Sequence, residues 1–184
     1  VDDLLQRPQY GETWARHWLD TVRYAESNGY ERDDEKPFSW RYRDYVFDAC
    51  NVANPFDEFV VEQLAGDELR EPTDASIIAT GFYRLGVWDD EPDDLQTAEF
   101  DGLDDIVSTI GQVFLGQTIG CARCHNHKFD AISQRDYYAI FGIFAGARPT
   151  QVAIDDPALL DRNRAELARR KEERIAVLAR ERVR

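Results

Sequence analysis

The chain of 184 residues carries 36 acidic against 22 basic side chains, a formal net charge of −14. A surface of that sign repels phosphate backbones and anionic headgroups, which argues against nucleic acid and anionic membranes as partners. With 43% hydrophobic and 12% aromatic residues the chain has the material for a real core, and no apolar run reaches the length of a bilayer span.

The first periodic stretch is "YGETWARHWLDTVRY", 10–24. Trp14, His17, Trp18, Thr21 and Val22 fall at three- and four-residue spacing, which predicts a helix with that stripe facing inward. Residues 27–39 are polar, and Pro37 forbids a helix through them. Trp40, Tyr42, Tyr45, Val46 and Ala49 predict a second helix, with Cys50 a small buried residue at its end. Asn54 and Pro55 open a short helix that closes at Gly66. Pro72 with Thr73 or Asp74 starts another, ending near Gly86.

An acidic loop, "VWDDEPDDLQ" at 87–96, leads into a long amphipathic helix from Asp94 to about Gln117. Its apolar face is Leu103, Ile106, Val107, Ile110, Val113 and Phe114. Ser133 caps and Gly146 stops an aromatic helix further on. Beyond Pro149 the composition turns to Ala, Leu, Glu and Arg, with a sparse stripe of Leu160, Leu167, Ile175 and Leu178. That pattern predicts a single charged helix, a linker or half of a coiled coil. No stretch alternates with period two. The expected architecture is all-α: an irregular helical domain with long connecting loops over 1–149 and a charged C-terminal helix over 150–184.

Between the long helix and the aromatic one lies "IGCARCHNHKFD", 119–130, which holds two of the three cysteines and two of the three histidines. Cys121-x-x-Cys124-His125 is the spacing of c-type haem attachment. Two thiols three residues apart on a turn reach the two vinyl groups of one porphyrin edge, and the next histidine binds the iron. Four alternatives stand beside it. A redox dithiol usually starts a helix after a strand, and no strand is expected. Zinc would need Cys121, Cys124, His125 and His127 to wrap a tetrahedron within seven residues. A disulfide across two residues is strained, and the string can also arise by chance.

If haem is bound, methionine cannot take the sixth position, because the chain contains none. His127 is tied to the proximal side and is expected to bond a propionate or a neighbouring carboxylate instead. His17 is then the remaining histidine and the expected distal ligand, with Lys, Tyr, water or an open site as alternatives. Arg41, Arg43, Arg123 and Arg135 are candidates to steady propionates, against the plainer role of pairing with surface acids. In the acidic loop Asp89, Asp90 and Glu91 are candidate calcium ligands, although the spacing is not that of an EF-hand and a solvated loop with helix-starting carboxylates is the favoured reading.

Several strings together, "YGETWARHWLDTVRYAESNGYERD", "WRYRDYVFDACN", "PFDEFVVEQLAGDEL", "GFYRLGVWDDEPDD" and the run from Leu103 to Gly146, resemble a domain of unknown function. It occurs in large proteins of planctomycete bacteria, downstream of a planctomycete cytochrome c domain and upstream of another uncharacterised domain. The resemblance spans residues 1 to about 147. It departs from the family string at Asn126, where Asp is usual, and at Ala131, where Pro is usual; the Cys and His positions are kept. His17 lies in a recurring "HWLD" string and the acidic loop in a recurring "WDDEP" string.

The resemblance implies an exported, multidomain, haem-associated protein. Taken with the motif, the expectation is a c-type cytochrome-like electron-transfer domain with covalent haem c on Cys121 and Cys124. His125 is proximal and His17 distal, and calcium is a second possible cofactor. Its partners would be neighbouring haem or redox domains of the same polypeptide, in the periplasm or at the cell surface, with no membrane insertion by this segment. Two alternatives are a haem enzyme with an open sixth site, of peroxidase or oxidase type acting on carbohydrate, and a non-redox metal-binding helical module. Val1 and the charged final residues read as cuts from a longer protein, so the want of a signal peptide says nothing about location.

Overall fold

The computed structural model describes residues 1–154, 158 and 161–181. Its elements follow from the start and stop residues of the sequence. After a one-turn helix α1 (Asp2–Leu5) come α2 (Pro8–Thr21), α3 (Ser39–Asn51) and α4 (Phe56–Ala65). Next are α5 (Asp74–Ala79) with a 3₁₀ turn (Thr80–Arg84), then α6 (Leu95–Leu115), a second 3₁₀ turn (Ile119–Arg123) and α7 (Gln134–Ala145). Among the described residues there is no strand, only an isolated antiparallel bridge between Ser27 and Glu35. The all-α expectation holds.

The caps are those the sequence advertises. The Thr73 hydroxyl accepts from the Ser76 N–H at 3.1 Å while Ser76 Oγ receives the Thr73 N–H at 3.0 Å, a reciprocal pair that satisfies two donors left open by the first turn. Ser133 and Asp136 do the same for α7. Asp94 Oδ1 accepts from the N–H groups of Gln96 and Thr97 at the start of α6. The Thr97 hydroxyl, donating to Asp94 Oδ2 at 2.9 Å, and then those N–H bonds hold the Asp94 carboxyl below its usual range, as the Ser133 bonds do for Asp136.

Three details depart from expectation. The run from Pro72 to Gly86 is not one α-helix, since it tightens into 3₁₀ geometry at Thr80. The short α1 carried no periodic signal. The third departure is the face of α2. Its buried residues are Gly11, Ala15 and Leu19, with Val22 beyond the end, whereas Trp14, His17 and Thr21 face solvent. The small residues face inward because α2 and α3 lie close together. The Asn51 carboxamide covers Gly11 and accepts its N–H at 2.9 Å, leaving no room for a large side chain on that line.

The larger core joins α2 through α5, the first 3₁₀ turn and Ile110 of α6. At its centre Gln63 is fully buried. Its Oε1 accepts from the Tyr42 hydroxyl at 2.5 Å and Trp18 Nε1 at 3.2 Å, and its Nε2 donates to the Phe59 carbonyl at 3.2 Å. One satisfied amide thus ties three helices, where an unsatisfied one would cost about 1–3 kcal/mol. Cys50 is half-buried at the edge of this core, and burial pushes its thiol up.

A smaller core lies on another part of α6. Val107, Ile119, Ala122 and Tyr137 are buried together, backed by Ile132, Ile140, Phe141 and Phe144. This core carries the Cys-x-x-Cys-His segment. α6 stops at Gly116, whose φ of 63° is left-handed, a conformation nearly free of penalty for glycine. The Gln117 N–H then turns back to the Gly111 carbonyl at 2.9 Å, and the second 3₁₀ turn folds onto α6.

The chain divides into two compact units, Val1–Pro149 and Thr150–Arg184. In the second, α8 (Arg164–Glu181) carries ion pairs one turn apart. Arg169 bonds Glu166 and Glu173, and Arg170 bonds Glu166. A turn at 162–163 precedes α8, so the charged stretch is not one helix from its start. Leu167 and Ile175 are exposed, while Leu160 and the side chain of Leu178 lie outside the described residues.

Gly111 and Gly102 make opposite predictions on one helix. A Cβ at Gly111 would lie 2.4 Å from Ile119 Cγ1, whereas one at Gly102 meets nothing within 4 Å. Gly111→Ala should lower stability by about 1–3 kcal/mol through overpacking. Gly102→Ala should raise it by roughly 0.5–1 kcal/mol through helix propensity. Thermal melting followed by circular dichroism reads both.

Candidate functional site

The second 3₁₀ turn has three residues per turn, so positions i and i+3 share a face. Ile119 and Ala122 form one such pair and are buried against α6 and α7. Cys121 and Cys124 form the other; both are exposed and both are free thiols. Packing the apolar pair inward therefore presents the two sulfurs outward together. His125 follows directly and is also exposed.

The turn is fastened from below. Arg123 donates through its guanidinium to Asp104 at 2.7 Å and to Asp101 at 3.1 Å, and lies 4.6 Å over the Phe100 ring. The Tyr137 hydroxyl, on α7, donates to the other Asp104 oxygen. Burial and the neighbouring Asp104 carboxylate push the Tyr137 phenol well above its usual range, so it stays protonated and remains a donor. The Arg123 carbonyl accepts from Gln134 Nε2 at 3.0 Å and the Tyr138 hydroxyl at 3.1 Å. The side chain expected to hold a propionate instead staples the turn to α6.

The two histidines of the motif hold their protons on different nitrogens. His125 Nδ1 lies 2.7 Å from the Asn126 carbonyl oxygen. A carbonyl only accepts, so Nδ1 carries the proton and Nε2 keeps an unshared pair toward solvent. That is how an imidazole ligand is set up for a metal. His127 Nδ1 accepts from the N–H of Asp130 at 2.9 Å and of Phe129 at 3.3 Å. Its proton is therefore on Nε2, 3.2 Å from Thr118 Oγ1. Asp130 Oδ2 also stands 3.2 Å from Nδ1, but that lone pair is already directed at two backbone donors. Both nitrogens of His127 are spent on the protein. The ring clasps the following loop to Thr118, and the His127 backbone N–H donates to the Ile132 carbonyl at 2.8 Å.

Cys121, Cys124 and His125 share one exposed segment, and His17 does not join them. His17 sits two residues after the buried Ala15, about 200° round a helix of 3.6 residues per turn. It therefore points away from the bundle, exposed, with its ring edge-on to Trp14 at 5.7 Å. Its helix packs into the larger core, whereas the motif belongs to the smaller one.

Asp89, Asp90 and Glu91 also have separate partners. Asp89 Oδ1 accepts the Glu91 N–H at 3.0 Å, Asp90 accepts from Asn28 Nδ2 at 3.0 Å, and Glu91 pairs with Arg32. The acidic loop is thus pinned to the 27–36 segment. Among the described residues no group of three or more His, Cys, Asp or Glu side chains gathers as metal ligands do. The residues that sequence reading missed are Thr118, Asp104 and Tyr137. Tyr137 and Asp104 are 33 positions apart, and no local pattern links them.

Removing the His127 clasp isolates its contribution. His127→Ala should speed amide exchange at Phe129 and Asp130 about tenfold or more and cost roughly 1–3 kcal/mol, since two backbone donors lose their acceptor. The Ser133 cap of α7 should stay protected in the same exchange experiment.

Comparison with curated proteins and with solved structures returns no match. A family model does match, over residues 1–149, the whole of the first compact unit. The chain belongs to that family, described as PSCyt2, protein of unknown function (DUF1549).

Proposed function

We propose that residues 1–149 form a c-type haem-binding, electron-transfer domain of a larger extracytoplasmic redox protein, of the kind found in planctomycetes. One observation carries this reading. Two free, exposed thiols share a face of a rigid turn, and the adjacent His125 holds Nδ1–H on a carbonyl with Nε2 unshared. Two thiols and an imidazole of this kind support the haem reading.

In this reading Cys121 and Cys124 would hold the haem through thioether links to its vinyl groups, and His125 would ligate its iron. Haem supplies one-electron chemistry when bound. Every other part belongs to the chain. Ile119 and Ala122 anchor the turn, Arg123 and Tyr137 hold it through Asp104, and the Asn126 carbonyl fixes the His125 tautomer. Outside the motif, neighbouring redox domains of the same polypeptide are the natural electron partners, and no described helix is long and apolar enough to cross a membrane.

The outward position of His17 favours one second reading, a haem enzyme of peroxidase or oxidase type whose sixth site is open or water-filled. It equally leaves room for a sixth ligand from a neighbouring domain. A zinc module is less well supported, because His127 has no free nitrogen. Calcium is not proposed, since its three candidate carboxylates are directed to Asn28, Arg32 and a backbone N–H.

The test is protein matured alongside a c-haem assembly system. Covalent haem staining and sharp Soret, α and β bands in the reduced form are expected. Cys121→Ser with Cys124→Ser should abolish the stain, and His125→Ala should alter the spectrum while leaving attachment chemistry available. His17→Ala should leave the spectrum unchanged. Colourless wild-type protein would sink the reading.

A further inference from the structure

The motif's loop carries an aromatic ring that stands largely in water, edge-on to His127 at a centroid distance of 6.4 Å. Phe129 is 84% exposed, more than any other aromatic residue in the structure. It does not hang on a loose segment. Its own N–H and that of Asp130 are held by His127 Nδ1, and His127 is held in turn by Thr118 and Ile132. These bonds close a loop of chain from Thr118 to His127 that contains Cys121, Cys124 and His125, and they tie the Phe129 backbone to its closing residue. An aromatic side chain held rigid and left in water forgoes its burial energy, a cost that a ligand covering it removes.

Beside it stands a cation. Lys128 Nζ lies 5.3 Å from the Phe129 ring centroid, and its side chain is exposed. Arg123, the other cation of the motif, is committed to Asp101 and Asp104. In a chain of net charge −14 this clasped segment thus carries one exposed apolar ring and one exposed ammonium within eight positions of the two thiols and His125. The chemistry that matches is a flat apolar ring system bearing carboxylates.

We propose that Lys128 and Phe129 are cofactor-binding residues. Phe129 gives apolar contact to the porphyrin attached at Cys121 and Cys124, and Lys128 pairs with one of its propionates. The inference rests on the haem reading above and adds two residues to it.

The experiment compares wild type with Phe129→Ala, Phe129→Leu and Lys128→Gln, all matured with c-haem assembly. All four should carry covalent haem at equal stoichiometry, and the haem-free forms should melt together, because both side chains are exposed. Phe129→Ala should admit exogenous imidazole to the ferric iron about tenfold faster and lose Soret circular dichroism, the effect of removing one apolar contact. Phe129→Leu should keep wild-type values. Lys128→Gln should raise the pH at which the Soret band responds to propionate ionisation, since a cation favours the ionised acid. Phe129→Ala indistinguishable from wild type in imidazole entry and Soret dichroism overturns the assignment of Phe129 while leaving haem attachment standing. An unchanged Soret titration in Lys128→Gln overturns that of Lys128. Wild type without covalent haem overturns both this inference and the reading beneath it.

Discussion

The contact of Ile119 with Gly111 is what the rest of the site depends on. A 3₁₀ turn laid flat on a helix needs one position in the helix without a side chain, and α6 supplies it where Ile119 presses down. With Ile119 and Ala122 seated, three-residue periodicity leaves Cys121 and Cys124 no direction but outward. The left-handed Gly116 makes the reversal short enough for this packing. Sequence spacing, helix termination and apolar burial therefore converge on one result, two thiols presented side by side.

Apolar burial alone would leave such a short turn free to rock. The polar bonds beneath it supply direction. Asp104 is shared by Arg123 and Tyr137, which joins the turn, α6 and α7 at one carboxylate. Bonds to charged groups are worth about 1.5–3 kcal/mol each, more than neutral ones, and here the acidic partner is largely screened from water by the residues it joins. His127 does comparable work on the loop that follows. The two histidines of the motif differ in role because their neighbours differ. One faces a carbonyl and must donate to it; the other faces two N–H groups and must accept from them.

The molecule has two cores, and α6 serves both. Phe144 packs against each of them, so the motif's small core is not isolated from the larger one. The larger core is organised by close α2–α3 packing and the buried Gln63 amide. That same close packing turns His17 outward. A constraint on helix approach, remote from the motif, thereby sets where His17 stands.

Local chemistry determined the helices, because caps, stops and periodicity act over one or two turns: Thr73, Asp94, Ser133, Gly66 and Gly146 mark ends that can be read directly. The pairing of Cys121 with Cys124, and His125 beside them, was legible for the same reason, since all three share one turn. The inward face of α2 was misread because size, not hydrophobicity, decides which residues lie at a close helix contact, and that depends on Asn51 forty positions away. The roles of Arg123 and His127 were settled by Asp101, Asp104, Thr118 and backbone donors that only folding brings near. Spacing along the chain names what can act together within a turn. Which nitrogen is free, which arginine is spent and which aromatic ring stays in water were decided by the tertiary structure, because each depends on a partner outside that turn.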